Sequence, residues 1–89
     1  MFKKYLVEFT GSILLVYIIL ATHNPIAIGA IFGLIIMFTS KISSGYLNPA
    51  ITIIMSALGR ISPSEILPYC LSQVFGGFVA LELYKRTIM

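Results

Sequence analysis

The chain predicts an all-α membrane protein: three transmembrane helices plus one re-entrant half-helix. Three observations lead there. Of 89 residues, 58% are hydrophobic and only 10% charged, with a mean hydropathy of +1.00, whereas a soluble domain carries about 25% charged residues. So little polar surface could not cover a core in water, which makes the bilayer the expected solvent. The basic residues Lys3, Lys4, Lys41, Arg60, Lys85 and Arg86 all flank apolar runs, as interface residues do. Finally, the stretch "SGYLNPAITII" (Ser44–Ile54) breaks an apolar sequence with an amide and a proline. It then resumes as a run too short to cross a membrane.

The elements follow in order. The first apolar segment, Tyr5–Ala21, spans about 26 Å as a helix, slightly short of a ~30 Å hydrocarbon core. Lys3 and Lys4 precede it in the manner of a signal peptide, but Glu8 breaks the apolar stretch and no A-x-A site follows; we expect a retained helix near residues 5–22. Thr22-His23-Asn24-Pro25 is a tight polar turn, with Pro25 suited to the first helical position. A second helix is expected near 25–40. "PAITIIMSAL" (Pro49–Leu58) makes a helix of about 15 Å, half the hydrocarbon core. Asn48 is its N-cap, Pro49 its first residue and Gly59 its stop. Ser62-Pro63-Ser64-Glu65 has the form of a capping box, opening a third span near 63–84. Pro68 lies one turn inside that span, where it disturbs least, and Gly76-Gly77 permits close approach of another helix.

Several chemistries find no residues to carry them. Cys70 is the single cysteine, so an intramolecular disulfide and a cysteine metal site are both excluded, and it reads as a packed thiol. His23 has no second histidine to complete a metal site and reads as a loop residue. No nucleophile–base set, Walker loop or spaced carboxylate pair is present. We therefore expect no catalytic residue, metal or cofactor. The scattered basic residues form no aromatic-interleaved patch, which argues against nucleic acid.

The polar residues inside the apolar segments carry what chemistry there is. Non-helical backbone survives at membrane depth only when buried in protein or lining a wet cavity, so the loop before Asn48 needs one of those surroundings. A half-helix starting at the midplane would point free N–H groups and roughly +0.5 charge at the membrane centre. Asn48 adds an amide that donates to a passing oxygen. The alternative is a plain N-cap on an interfacial helix, and spacing leaves both open. Glu8 has two readings as well: it braces the Ser43–Leu47 loop by accepting its N–H groups, or it snorkels to the interface beside Lys3 and Lys4. Gln73, halfway along the third span, reads as a hydrogen-bonding link between helices.

Taken together, "EFTGSILLV" (Glu8–Val16), "AIG" (Ala27–Gly29), "ISSGYLNPAIT" and "GRISPSEILPYCLSQVFGG" (Gly59–Gly77) resemble the major intrinsic proteins, the aquaporin and glycerol-facilitator family. They match the first of that family's two repeats, in order, over nearly the whole chain, so residues 1–89 read as one half-repeat. The resemblance implies that Asn48, Pro49 and Ala50 line a pore for water or small neutral solutes such as glycerol. It favours the bracing role for Glu8 and puts Ile28 at a position where first repeats often carry an aromatic filter residue. Ile51 follows the N-P-A triplet where second repeats have arginine, and Lys41 stands where the loop often has histidine. A filter built this way is wider and more apolar than the family's norm.

A pore of this kind needs a second half-repeat, from another chain or from a homo-oligomer. The alternative reading is a non-conducting membrane protein that associates with full-length channels. Lys3, Lys4, Lys41 and Arg60 fall on one face and Lys85 and Arg86 on the other. With the richer face cytoplasmic, the N-terminus is expected in the cytoplasm.

Overall fold

The computed structural model describes residues 2–88, so Met1 and Met89, the limits of the expected unit, lie outside the described residues. Its elements are α1 (Lys3–Ala21), α2 (Pro25–Ser43), α3 (Pro49–Ala57) and α4 (Ile66–Thr87), with one 3₁₀ turn at Pro63–Glu65 leading into α4. There is no strand among the described residues. Three segments are long and apolar enough to cross a membrane: Lys3–Ala21, Pro25–Ser43 and the continuous Pro63–Thr87. The molecule is 40 Å long and 24 × 20 Å across, matching a bilayer of about 40–45 Å with its headgroups. It is an integral membrane protein.

Local chemistry sets each boundary. Asn24 caps α2, its side-chain oxygen accepting the N–H groups of Ile26 and Ala27 at 2.9 and 3.2 Å. The helix continues beyond the expected end near Ser40 to Ser43 and stops at Ser44, whose φ of 74° is left-handed. At the end of α3 the Gly59 N–H donates to Ser56 and the Arg60 N–H to Met55, both at 2.9 Å. This is a Schellman closure, and Gly59 supplies its positive φ of 91°. The expected capping box at Ser62 forms only in part. The Ser62 hydroxyl accepts the Ser64 N–H at 3.3 Å, but the Glu65 carboxylate turns away to the Lys4 ammonium. An ion pair there holds the starts of α1 and α4 together, a stronger partner for a carboxylate than a backbone N–H. Pro68 sits in the first turn of α4, where its missing N–H leaves no bond unmade.

α1 is the central helix. α4 runs parallel to it, with Tyr5 against Tyr69 near one end (ring centroids 5.5 Å apart) and Tyr17 against Tyr84 near the other (6.5 Å). α2 runs back along the opposite side of α1, and α3 lies against α4. A Cβ placed on Gly76 would come within 2.6 Å of the Phe9 carbonyl oxygen and 3.0 Å of the Ser12 Cβ. Gly76 is therefore a point of close approach between α1 and α4. Gly77 has room, its nearest neighbour being a Val16 methyl at 3.8 Å.

The interior is polar and the exterior apolar. Glu8, Ser12, Thr39, Ser43, Thr52, Ser56 and Gln73 are buried, while Phe38, Met37 and Phe78 are among many exposed large apolar side chains. In water that distribution would not fold; in lipid it is the expected one, because tails solvate the outside and polar groups must find each other inside.

Candidate functional site

Four elements meet at Glu8. The side chain projects from the second turn of α1 and is completely buried. One carboxylate oxygen accepts the Ser43 hydroxyl at 2.7 Å, from the last residue of α2. The other accepts the Leu47 N–H at 2.8 Å, from the loop before α3, and the Gln73 amide at 2.8 Å, from α4. No lysine or arginine forms an ion pair with Glu8 among the described residues. Its charge is held by three donors, each charge-assisted bond contributing about 1.5–3 kcal/mol.

Those donors explain the loop. Ser44, Gly45 and Leu47 all have positive φ, at 74°, 65° and 57°. For a branched side chain such as Leu47 that conformation is strained, and the Leu47–Glu8 bond offsets the strain. Gly45 is required sterically: a Cβ there would meet the Thr39 hydroxyl at 2.9 Å. The Tyr69 hydroxyl donates to the Ser43 carbonyl at 2.9 Å, and the Tyr46 ring rests 5.6 Å from that of Tyr69. Gly45, Tyr46 and Leu47 are thereby buried in protein, as irregular backbone within a membrane must be when it does not line a wet cavity.

Gln73 carries the network into α3. Its amide nitrogen donates to both Glu8 and the Thr52 hydroxyl, each at 2.8 Å, and Thr52 donates to the Asn48 carbonyl at 2.9 Å. A continuous chain of bonds thus joins Glu8, Gln73, Thr52 and Asn48. Gln73 lies near the middle of the Pro63–Thr87 span, so the start of α3 sits about halfway along that helix. From there α3 returns toward the end where α4 begins.

The Asn48 side-chain oxygen accepts the Ala50 N–H at 2.7 Å, which fixes the amide plane. Its NH₂ is left without a protein acceptor among the described residues, and so is the Ile51 N–H. Asn48 and Ala50 are exposed and Pro49 half-buried. The start of α3 is therefore an exposed end with two free donors aided by the helix dipole. It can hydrogen-bond a neutral oxygen but offers nothing to a cation.

The structure does not bring every singled-out residue to this place. Ile28, half-buried in the first turn of α2, lies roughly 20 Å along that helix from Ser43, outside the bonded network. Gly76 serves the α1–α4 seam, whereas Gly77 touches little. Thr52 and Tyr69 hold essential network positions and were not singled out for them. Thr52 had a readable signal, standing four residues after the N-cap with its hydroxyl in reach of that carbonyl.

Comparison with known proteins agrees with this geometry. The sequence profile described as "Major intrinsic protein" matches residues 1–89. The chain is 36% identical to "Glycerol uptake facilitator protein-like 6" of Lactiplantibacillus plantarum, over 97% of this chain and 44% of that protein. It is 35% identical to "Aquaporin Z" of Bradyrhizobium diazoefficiens (91% and 40%) and 32% identical to "Aquaporin-8" of Mus musculus (90% and 35%). No solved structure gives a significant match. The chain thus spans less than half the length of these relatives. Because the profile covers every helix and the whole Glu8 network, the chain belongs to the major intrinsic protein family of membrane channels.

Proposed function

We propose that the chain forms half of a channel for water or small neutral solutes such as glycerol, with Asn48, Pro49 and Ala50 at the pore. One observation carries the reading: two unpaired donors, the Asn48 amide and the Ile51 N–H, stand exposed at the start of a helix braced through Gln73 and Glu8. A solute oxygen shedding water would find replacement hydrogen bonds there, while the positive helix end would repel cations. The names of the relatives, aquaporins and a glycerol uptake facilitator, support this class of solute. Ile28 serves as a wide, apolar filter position. The N-terminus faces the cytoplasm.

The second half comes from elsewhere: the remainder of a longer chain, a separate polypeptide or a second copy. The uncovered start of α3, with Asn48 and Ala50 exposed, favours this requirement, since free donors at membrane depth need protein or a wet cavity on that side. It also keeps a second reading in play, in which the same side docks on full-length channels without conducting. Osmotic shock of proteoliposomes separates them. Vesicles with this chain and a second-repeat polypeptide should pass water or glycerol, and Asn48→Leu should slow the flux on the order of tenfold, the loss of one to two hydrogen bonds. No flux in any combination would favour the non-conducting reading, and unchanged flux in the variant would remove Asn48 from the pore.

A further inference from the structure

The geometry points to Tyr69 as a positioning residue for the Asn48 donor site, acting through the loop that leads into α3. The inference rests on the reading of Asn48 as the pore donor, and adds a second anchor to the one at Glu8. Glu65, Tyr69 and Gln73 stand four residues apart, so they share one face of the Pro63–Thr87 helix at steps of about 6 Å. Each holds a different part of the molecule. Glu65 pairs with Lys4 at the start of α1. Gln73 holds Glu8 and Thr52. Between them, the Tyr69 hydroxyl donates to the Ser43 carbonyl at 2.9 Å.

That carbonyl belongs to the last residue of α2, where partners within the helix run out. Ser43 is thus gripped twice, its hydroxyl donating to Glu8 at 2.7 Å and its carbonyl accepting from Tyr69. The far end of the loop is gripped by Glu8 through the Leu47 N–H. Three of the four residues from Ser44 to Leu47 have positive φ, a conformation that relaxes unless its surroundings hold it. The Tyr46 ring packs on Tyr69 at 5.6 Å, and Tyr5 meets Tyr69 edge-on from α1 at 5.5 Å. Tyr69 is only 2% exposed and Tyr46 8%, so neither ring has room to swing. An anchor at one carboxylate fixes where the loop sits but lets it pivot. A second anchor, one helical turn nearer the start of α4 than Gln73, fixes its tilt. That tilt sets Asn48, which follows Leu47 directly and whose amide plane is tied to the Ala50 N–H. Ring packing alone would be met by phenylalanine; the Ser43 carbonyl, inside the bilayer, needs the hydroxyl.

The test compares two single variants of the full chain in mild detergent. Tyr69→Phe keeps the ring and removes the hydroxyl. Tyr17→Phe removes a phenol bond of similar length, the one to Thr87 at 2.8 Å, at the opposite end of the α1–α4 seam. The first readout is amide hydrogen exchange over residues 44–47. The second is the rate at which a water-soluble thiol reagent modifies Ala50→Cys in a Cys70→Ser background. Tyr69→Phe should speed loop exchange about tenfold and change the thiol rate about threefold or more. Exchange in α1, and in α4 beyond Gln73, should stay as in the parent. Tyr17→Phe should alter neither loop readout. Equality of the two variants in either readout would overturn the assignment. So would exchange that rises along all the helices alike, which would make Tyr69 a general packing residue. Neither readout needs conduction, so failure of the channel reading shows separately, as proteoliposomes that pass no solute.

Discussion

Glu8 concentrates the physics of the molecule in one side chain. A carboxylate in the bilayer interior costs at least ~2.5 kcal/mol to insert, and three buried donors offset that cost here. Glu8→Gln keeps one acceptor oxygen for Leu47 or Gln73, while the Ser43 hydroxyl can turn to accept from the new amide. Glu8→Leu strips the Leu47 N–H and one Gln73 amide hydrogen of their acceptor, at about 1–3 kcal/mol each, and leaves the Ser43 hydroxyl only the Thr39 carbonyl at 3.4 Å. Thermal unfolding in detergent should therefore show a modest loss for the glutamine variant and a severe one for leucine; equal midpoints would remove Glu8 from the brace. The sequence left this residue between brace and snorkel because its partners stand 35, 39 and 65 positions away. An isolated glutamate in an apolar segment looks the same in either case.

At the scale of elements, the glycines separate two roles that look identical in the sequence. Gly76→Ala would drive a methyl into the backbone of α1, 2.6 Å from the Phe9 carbonyl oxygen, so the helices must part; we expect a loss on the order of 1–3 kcal/mol. Gly77→Ala meets only a methyl at 3.8 Å and gains helix propensity of about 0.5–1 kcal/mol, so it should be neutral or slightly stabilising. Comparing the two melting temperatures decides the assignment, and matched losses would contradict it. Gly59→Ala probes the end of α3. At a φ of 91° the substitution should cost about 1 kcal/mol or more without altering the α1–α4 seam. A variant as stable as the parent would mean that the Schellman closure does not fix this turn. Both α2 and α4 run three residues past their expected ends, at Ser43 and Thr87. Hydropathy marks where apolar residues stop, whereas a helix stops where its last carbonyls find other partners.

For the whole molecule the open quantities are depth and direction in the bilayer. The start of α3 lies level with Gln73 and its end returns toward Ser62, which supports a re-entrant course for α3 with its first turn at mid-depth. Single cysteines through residues 49–58, in a Cys70→Ser background, should label from the aqueous phase in a gradient, least at the α3 start when the second half is absent. Uniform labelling of all ten would make α3 a surface helix. For direction, Lys3, Lys4, Lys41 and Arg60 outweigh Lys85 and Arg86, so a reporter fused at the N-terminus should read cytoplasmic and one at the C-terminus external. A near-equal mixture would instead support an antiparallel pair of identical chains around one pore.

Hydropathy, caps and breakers were enough to read three spans and a short fourth helix, because in lipid the backbone must satisfy itself within each segment. Asn24, Asn48, Pro25, Pro49 and Gly59 act on neighbours only a few positions away, and local chemistry is written locally. The sharing of Glu8 among Ser43, Leu47 and Gln73, the diversion of Glu65 from its cap to Lys4, and the choice of Gly76 over Gly77 were not readable. Each depends on which helices lie side by side and in what rotation. That is set by close packing and by pairing of buried polar groups across the whole chain, and no one-dimensional pattern contains it.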